Sequence, residues 1–552
     1  MKKILFVLLS GLLTACVYGL LDPVAAQEKG AQWQVVELTF DAARQHERPY
    51  EEVRLTCSFT GPGGRDIAVE GFYDGDNRWR VRFCPDQSGI WNWRTDCNPP
   101  DIGLAGKNGT ISVAPAAKDG NPLHEHGGLL KVSENRRYLT YTDGTPFFWL
   151  GDTWWFCPSS QVPIQGSSNP EIESMFRSLI DKRKSQGFTI VHWASLGNWG
   201  SGGSETFMKT KGRSPFVPSY WQTYDLYVQT ANDAGIIPVI GFGFHTGMDA
   251  WSLENLQFLW HYVIARYGSY GVTWLLCGEY NHGQGNREER IEKILKLGTF
   301  IKQCDPYKRA MTVHPWYFKG DTRDAWNCDW YDFVMWQGAH VGHGNVPPTS
   351  TYRDSAELGK PYLEGETQYE GIYGGRPGKA VTADDVRRSA WHALQSGCCG
   401  YTYGAHGLWY PTQNVADDTF AKDWGTAKPW WETMHLPGPD QLAVMKKFYE
   451  KSDWFRYRPE MNSLLLEEGY QDATRPLLQI DDQGRAILYC PQGSGPERLI
   501  RWKTSKGDYE VRRFNPRTGE ETMADKVKTV DGILTIPVRS DDFDWIFTIR
   551  KN

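Results

Sequence analysis

The sequence predicts an α/β protein built on a (β/α)8 TIM barrel with a small β-sandwich on each side. Three observations predict this fold. Residues 28–122 read as short alternating strands, residues 123–440 alternate apolar strands with amphipathic helices, and residues 445–552 return to short β segments. A chain of 552 residues is long enough for two to four domains, so we take the three regions as separate domains.

Residues 28–122 are predicted to form the N-terminal sandwich. Turn signals such as Gly61–Gly64 and Asp74–Asn77 separate its strands. The strand candidates are Trp33–Phe40, Val53–Phe59, Ile67–Tyr73 and Trp79–Cys84. Short alternating strands at this spacing are typical of a sandwich.

Residues 123–440 contain eight apolar strand candidates. They begin at Phe147, Thr189, Ile237, Thr273, Ala310, Phe333, Pro361 and Gly400. Helical periodicity covers Pro170–Gln186, Ser219–Ala234, Leu253–Tyr267, Arg287–Cys304 and Ala383–Ser396. This alternation is typical of a TIM barrel. An open doubly wound sheet is the alternative, but no Gly-x-Gly-x-x-Gly turn follows the first strand.

Residues 445–552 are predicted to form the small C-terminal sandwich. Five short β segments lie in this region, at Leu477–Ile480, Arg485–Tyr489, Tyr509–Asn515, Gly532–Pro537 and Trp545–Ile549. Short β segments of this kind are typical of a small sandwich.

Composition narrows the function classes. Lys+Arg 60 against Asp+Glu 66 gives a net charge of −6, and no basic block is present, so nucleic acid is not expected as a partner. Aromatic residues make up 14% of the chain. Their flat apolar faces suit a core, and they also stack on sugar rings. The composition therefore favours a carbohydrate-active protein.

The first 26 residues predict an export signal. Lys2 and Lys3 precede an apolar run, Ile4–Leu13, that is too short to span a bilayer. Leu13–Cys16 resembles a bacterial lipobox, in which Cys16 would be lipidated and become the mature N-terminus. A rival cleavage site lies at Val24–Ala26. Both sites predict an exported protein, either a cell-envelope lipoprotein or a periplasmic or secreted one.

The other cysteines are compatible with export. A disulfide among Cys57, Cys84 and Cys97 is plausible, although spacing does not define the pairing. The adjacent Cys398 and Cys399 match no zinc pattern, and we interpret them as small buried residues of a strand.

The carboxyl ends of the predicted barrel strands carry the candidate catalytic residues. Glu279 ends strand 4, and Glu364 and Glu366 end strand 7. Two carboxylates that face each other across the mouth are typical of retaining glycosidases, where one protonates the leaving oxygen and the other attacks the anomeric carbon. We predict Glu279 as the acid/base and Glu366 as the nucleophile. Glu364 is the fallback, because it points the same way in a regular strand.

Further residues at the strand ends are predicted to bind the sugar. They are Asp152, Trp154, His192, Trp193, His245, Asn281, His314, Trp336, Gln337, His340, Tyr369, Tyr403 and His406. Asp152 has an alternative role, in which it holds the strand-1 loop by accepting backbone N–H bonds. No His-Glu-x-x-His motif occurs, so no metal or other cofactor is predicted. No Gly-x-Ser-x-Gly motif occurs either, which disfavours a serine hydrolase.

Five motifs resemble the apiosidase-like family of TIM-barrel glycoside hydrolases. They are FFWLGDT (147–153), TVHP (312–315), MWQGAH (335–340), GETQYEG (365–371) and YGAHGLW (403–409). Residues 35–40, 71–75 and 82–85 resemble the Ig-like β-sandwich that often precedes that barrel. Residues 513–519 and 544–545 resemble a small collagen-binding-type β domain. The resemblance covers nearly the whole mature chain.

The resemblance implies hydrolysis of side chains of plant or algal polysaccharides, or of short oligosaccharides. The family's strand-7 glutamate falls on Glu366. Its strand-4 acid is commonly an aspartate after glycine, whereas this sequence has Gly278 followed by Glu279. Glutamate is longer by one methylene, so the apiosidase sugar specificity is not carried over.

Three alternatives stay open. One is a catalytically inactive carbohydrate-binding lipoprotein that keeps the barrel as a recognition surface. Another is a polysaccharide lyase, which is disfavoured because the strand ends are poor in Lys and Arg. The third is an inverting hydrolase, since retention needs carboxyl groups about 5 Å apart and inversion roughly 6.5–9.5 Å.

Overall fold

The protein contains an eight-stranded parallel barrel with β-rich regions on either side, as the sequence predicts. The structure is a computed structural model that describes residues 27–196, 217–316, 323–338, 340, 349–373, 379–414, 424–461, 464–466, 474–491, 498–522, 525–538 and 543–552. Cys16 and the predicted export signal lie outside the described residues. Within the described residues, no helix combines the length and apolar character needed to cross a membrane.

The N-terminal region is a sandwich of a five-stranded and a three-stranded sheet, in the orders β1-β8-β7-β3-β4 and β2-β6-β5. Its strands are β1 Gln27–Ala31, β2 Val36–Asp41, β3 Arg54–Thr60, β4 Asp66–Glu70, β5 Phe72–Gly75, β6 Arg78–Phe83, β7 Gly89–Asn98 and β8 Asn108–Ala114, with helix α1 at Pro49–Glu52. The predicted strand Ile67–Tyr73 is divided at Gly71 between the two sheets. A Cβ atom at Gly71 would lie 2.7 Å from Leu55, so only glycine allows this close crossing.

The barrel strands match the eight predicted ones. They are β12 Trp149–Thr153, β13 Ile190–Leu196, β14 Ile237–Phe242, β15 Thr273–Leu275, β16 Met311–Thr312, β17 Val334–Gln337, β18 Tyr362–Glu366 and β19 Gly400–Tyr403. The hydrogen-bonded order is β16-β15-β14-β13-β12-β19-β18-β17. The Asp332 N–H donates to Met311 O at 3.1 Å across the remaining gap. This bond links the two ends of the sheet.

The start predicted for the first barrel strand is wrong. Phe147 lies in β11 (Pro146–Phe147), which pairs with β10 (Leu139–Thr140) and through it with β9 (Lys131–Val132) in a separate antiparallel sheet. The barrel strand begins only at Trp149. A continuous apolar run conceals this division, because both segments are buried.

Helices surround the barrel. They are α2 Pro122–His126, α3 Met175–Ser185, α4 Pro218–Asp233, α5 His245–Ala250, α6 Leu253–Tyr267, α7 Arg287–Cys304, α8 Arg323–Trp326, α9 Thr349–Glu357, α10 Ala383–Gln395, α11 Trp430–Thr433 and α12 Gly438–Lys451. Side-chain caps fix several starts. Helix α3 begins after Ser174, whose side chain accepts the N–H of Arg177, rather than at the predicted Pro170.

The C-terminal region has a six-stranded and a two-stranded sheet, in the orders β20-β21-β22-β27-β24-β25 and β23-β26. Its strands are β20 Arg458–Pro459, β21 Leu477–Ile480, β22 Ala486–Cys490, β23 Arg498–Lys503, β24 Asp508–Phe514, β25 Asp525–Lys528, β26 Ile533–Val538 and β27 Trp545–Lys551. Phe448 of α12 contacts Trp391 of α10 and Phe514 of β24. Helix α12 therefore joins the barrel to this sandwich.

A buried ion cluster closes the seam between the N-terminal sandwich and the barrel. Arg82 of β6 and Arg266 of α6 each make two hydrogen bonds to the carboxylate of Asp225 in α4. Burial opposes the charge of Asp225, but the two guanidinium groups outweigh it and lower its pKa. We call these three residues the seam cluster.

The ten described cysteines are all free. The disulfide that the sequence left open among Cys57, Cys84 and Cys97 is therefore not formed. Cys57 and Cys84 are buried in the sandwich, and burial raises the pKa of each thiol to about 12. Thiols in such an environment behave as small apolar side chains.

Candidate active site

Glu279 lies just past the end of β15, on the turn after Gly278. Its backbone φ is +46°, a conformation uncommon for residues other than glycine. The Glu279 N–H donates to Nδ1 of His314 at 3.4 Å, which helps to hold this conformation. Backbone strain of this kind collects at functional sites, where the surrounding structure maintains it.

The Glu279 carboxyl makes few polar contacts. Gln337 Nε2 donates to its Oε1 at 3.5 Å, and His245 Nδ1 lies 4.0 Å from its Oε2. Burial, reinforced by the negative charge of Glu366, raises the pKa of Glu279 to about 7. The group therefore holds its proton up to neutral pH and can act as an acid.

Glu366, at the end of β18, has the opposite environment. His314 Nε2 lies 2.8 Å from its Oε2, His340 Nε2 lies 3.1 Å from its Oε1, and the Tyr369 hydroxyl donates to Oε1 at 2.5 Å. Burial alone would raise the pKa of Glu366, but the contacts with the two histidines and the positive charge they can carry outweigh it. The pKa lies well below its ordinary value. Glu366 is therefore ionised.

His314 connects the two glutamates. Its Nδ1 accepts the Glu279 N–H, so in the neutral ring Nε2 carries the proton, and Nε2 is the atom that faces Glu366. The ring also packs edge-on against Trp155, with the two centroids 5.4 Å apart. One imidazole thus spans the space between the backbone after strand 4 and the carboxylate of strand 7.

Glu364 does not share the environment of Glu366. It is fully buried and accepts the N–H groups of Gly338 and Glu366, each at 3.2 Å. The pairing of β17 with β18 shifts register between Trp336 and Gln337, so the strand is not regular between the two glutamates. Burial raises the pKa of Glu364 well above its ordinary value. This side chain is thus a neutral hydrogen-bond partner of the backbone and does not suit the fallback role of nucleophile.

The structure brings five predicted sugar-binding residues to the two glutamates, namely His245, His314, Gln337, His340 and Tyr369. His192 lies beside them, with its ring centroid 5.7 Å from that of Trp155. Neither of its ring nitrogens has a partner among the described residues. Burial, together with His314, lowers the pKa of His192 to about 3, so the ring is neutral.

Trp155 is a site residue that the sequence-based prediction missed. Its indole N–H donates to the Tyr369 hydroxyl at 2.8 Å, and its ring contacts His192 and His314. The prediction chose the adjacent Trp154, whose ring packs against Phe176 of α3. The sequence does show two successive tryptophans after the end of strand 1. The chain turns at this point, so the alternation of side chains along a strand does not predict which of the two faces the barrel mouth.

Asp152 takes the second of its two predicted roles. Its carboxylate accepts the Thr153 N–H at 2.8 Å and the Trp154 indole N–H at 2.9 Å, and it pairs with Arg183 Nε at 2.6 Å. All of these groups are buried. The carboxylate therefore holds the loop after strand 1 and is not available to a sugar hydroxyl.

Trp193 and Tyr403 lie away from the two glutamates. Trp193 packs against Tyr224 of α4, with the ring centroids 6.0 Å apart. The Tyr403 hydroxyl donates to Glu370 at 2.8 Å. Both side chains are fully buried. The prediction that they contact the sugar is not supported by these positions.

Asn281 and His406 hold loops at the mouth. Asn281 Oδ1 accepts the Trp316 N–H at 2.6 Å, and His406 Nε2 lies 2.6 Å from the carbonyl of Gly425. Trp336 is half-buried, and its indole nitrogen has no acceptor among the described residues. Of these three residues, Trp336 alone keeps a described polar atom without a partner.

One group of potential metal ligands occurs in the described part of the chain. Ligand atoms of His245, Glu279 and His282 lie within 4.8 Å of one another. The two imidazole rings stack in parallel, 4.0 Å apart and inclined by 3°, so their in-plane lone pairs do not converge. Nδ1 of His282 also accepts the Gln284 N–H. The arrangement does not fit the convergent donors of a tetrahedral ion.

Comparison with known families and structures gives a consistent picture. The Apiosidase-like catalytic domain matches residues 133–456, and DUF5060, a domain of unknown function, matches residues 29–98. No curated protein matches the chain. The collagen-binding-type assignment of the C-terminal sandwich stays a prediction.

Solved structures share the fold at low identity. A protein from Bacteroides vulgatus ATCC 8482 with a provisional glycoside hydrolase designation has a TM-score of 0.71 and 18% identity, covering 95% of this chain and 100% of that one. Another glycoside hydrolase has a TM-score of 0.62 and 19% identity, covering 77% of this chain and 97% of its own. A family 5 glycoside hydrolase from the same Bacteroides strain has a TM-score of 0.60 and 19% identity, covering 77% and 93%.

The catalytic-domain match spans more than half of the 552 residues and contains both candidate glutamates. The chain is therefore a glycosidase that belongs to the Apiosidase-like family.

Proposed function

We propose that the protein is an exported, retaining glycoside hydrolase in which Glu279 is the general acid/base and Glu366 is the nucleophile. The observation that carries the proposal is the opposite tuning of the two carboxyl groups. The pKa of Glu279 is raised to about 7, whereas that of Glu366 is held well below its ordinary value. A pair of carboxyl groups tuned apart in this way marks an acid and a nucleophile.

The first step of the reaction breaks the glycosidic bond. The Glu279 proton goes to the leaving oxygen while a Glu366 carboxylate oxygen attacks the anomeric carbon, which forms a glycosyl-enzyme ester. In the second step, Glu279 takes a proton from water, and the water oxygen displaces Glu366 from the sugar. The contacts with His314, His340 and Tyr369 keep Glu366 ionised and oriented before the attack.

The polar groups beside the glutamates support a sugar substrate. Neither nitrogen of His192 nor Oε1 of Gln337 has a partner among the described residues, and the indole of Trp336, next to Gln337, is half-buried. Sugar hydroxyls would satisfy such groups, and an indole face suits a sugar ring. We propose side chains of plant or algal polysaccharides, or short oligosaccharides, as substrates. We also propose export, with Cys16 as the lipid attachment site.

A screen tests the activity. Wild type and Glu366→Gln are incubated with plant and algal polysaccharides, and the released sugars are identified by mass spectrometry. We expect a product with wild type alone. Proton NMR of the first-formed anomer then distinguishes retention from inversion. A product of inverted configuration would contradict the role of Glu366 as nucleophile. If wild type releases no sugar from any polysaccharide of the panel, the alternative of an inactive carbohydrate-binding protein is favoured.

A further inference from the structure

An open cleft lies between the N-terminal sandwich and the barrel, beside the seam cluster. It encloses about 420 Å³, within the range of small-molecule binding sites. The lining residues come from the loop and strands of the sandwich and from helices α6 and α7. Next to the cleft, the paired charges of Arg82, Asp225 and Arg266 bring the two domains into contact. At the cleft itself, the two domains leave a space between them.

Aromatic rings line this cleft. Tyr50 of α1 and Phe258 of α6 are half-buried and meet edge to face, with their centroids 6.4 Å apart. Tyr73 and Trp79 line the same space, with their centroids 5.8 Å apart. Trp79 is buried, whereas Tyr50, Tyr73 and Phe258 are partly open to solvent. Flat rings of this kind can stack on the apolar face of a sugar.

Polar groups at the rim supply hydrogen-bonding capacity. Nε2 of His261 lies 2.9 Å from Arg54 Nη1 and 2.7 Å from Glu70 Oε2. The side chains of Arg54, Glu70 and His261 are 63%, 37% and 23% exposed, so each can also reach a ligand. Planar guanidinium, carboxylate and imidazole groups beside aromatic rings suit a polyol, whose hydroxyls both donate and accept.

The charge of the residues that line the cleft indicates which class of glycan, neutral or acidic, can bind there. Glu51, Glu70 and Glu254 outnumber Arg54 and His261 along the walls. A chain of uronic acids would bring further negative charges beside these carboxylates, which costs free energy. The lining therefore favours an uncharged glycan.

We propose that this cleft is a second, non-catalytic binding site for a neutral oligosaccharide segment. It would hold a polymer on the enzyme at a distance from the barrel mouth. The inference does not depend on the roles of Glu279 and Glu366, because binding here requires no turnover.

Affinity gel electrophoresis tests the site. The full chain carrying Glu366→Gln is used, so that no polymer is consumed. The gels contain xyloglucan or galactomannan as neutral polymers, and polygalacturonate or alginate as acidic ones. Tyr50→Ala and, separately, Phe258→Leu are added to this background. Phe258→Leu keeps apolar packing on α6 but removes the flat ring. Ile102→Ala, at a side chain 85% exposed elsewhere on the sandwich, is the matched control.

We expect a neutral polymer to retard the parent protein. The dissociation constant should rise about fivefold to tenfold in Tyr50→Ala and in Phe258→Leu, and stay unchanged in Ile102→Ala. If the neutral polymer retards both cleft variants as strongly as the parent protein, the polymer binds at another site and the proposal is overturned. Retardation by the acidic polymers alone, or by none of the four, also overturns it.

The same variants separate this inference from the proposed function. With Glu366 restored, Tyr50→Ala should keep wild-type turnover of a short soluble substrate and lose turnover of the polymer at low concentration. Loss of both activities would show that the ring supports the catalytic domain, which contradicts a separate site. Absence of hydrolysis in wild type, with cleft-dependent binding intact, would overturn the proposed function alone.

Discussion

The seam cluster and the barrel mouth both bury charged groups, and they differ in how completely those groups are paired. At the seam, both oxygens of Asp225 accept hydrogen bonds from Arg82 and Arg266. At the mouth, His192 and Gln337 keep polar atoms without partners among the described residues. Paired buried charges support the position of the two domains, whereas unpaired polar atoms cost stability and leave sites for a ligand.

The largest expected effect is at Glu366. Glu366→Gln removes the ionised carboxylate and should lower kcat by about 10⁴-fold or more. The melting temperature should also fall, because the contacts that lower the pKa of Glu366 stabilise the folded state. Steady-state kinetics and calorimetry measure the two quantities. Glu364→Gln is the matched control, two residues away in β18. Its amide oxygen can still accept the N–H groups of Gly338 and Glu366, and it replaces an acid that is already neutral. An equal loss in Glu364→Gln would contradict the division of roles between these two residues.

The second prediction concerns the pH dependence of the mouth. Glu279 must be protonated to act as an acid, and its pKa is raised to about 7, so kcat/KM should fall as the pH rises through about 7. Glu366 must be ionised and its pKa lies well below the ordinary value, so the acidic limb should begin below the usual carboxyl range. Glu279→Gln should lower kcat by about 10²-fold to 10⁴-fold and abolish the basic limb. A basic limb that persists in Glu279→Gln would assign that ionisation to another group.

The sequence predicts the elements of the barrel well, because apolar periodicity records which faces are buried. Helices Leu253–Tyr267 and Arg287–Cys304 have the predicted bounds. The roles of Glu279 and Glu366 remain predictions, although the environments found for them suit those roles. Side-chain direction at the strand ends was harder to predict. The register shift beside Glu364 and the turn after Thr153 depend on neighbouring strands, which a single sequence does not reveal.

The third prediction breaks the seam. Asp225→Asn removes the carboxylate that Arg82 and Arg266 share. Arg82 keeps Glu37 and Arg266 keeps Asp74 as counter-ions. The free energy of unfolding should fall by about 3 kcal/mol. Activity per folded molecule should stay near wild type, because the cluster does not contact the mouth residues. Glu292→Gln, which breaks the exposed pair with Lys296, is the control and should change stability by less than about 1 kcal/mol. Denaturant unfolding followed by kinetics at low temperature distinguishes the two quantities. A selective loss of kcat in Asp225→Asn would couple the seam to catalysis.

The smallest expected effect is at His192, and it directly tests the comparison between the paired seam and the unpaired mouth. His192 is fully buried, its ring is neutral, and its two nitrogens lack partners among the described residues. The His192 ring packs between Trp149 and Trp155, with centroids 5.5 Å and 5.7 Å away. His192→Phe keeps an aromatic ring there and removes both unpaired polar atoms. The free energy of unfolding should rise by about 1 kcal/mol, because a buried polar group without a partner carries a desolvation penalty. Substrate turnover should fall at the same time, since the hydrogen bonds to sugar hydroxyls are lost. A variant that is less stable than wild type and equally active would show that His192 belongs to the core, and the distinction between a paired seam and an unpaired mouth would not extend to this residue.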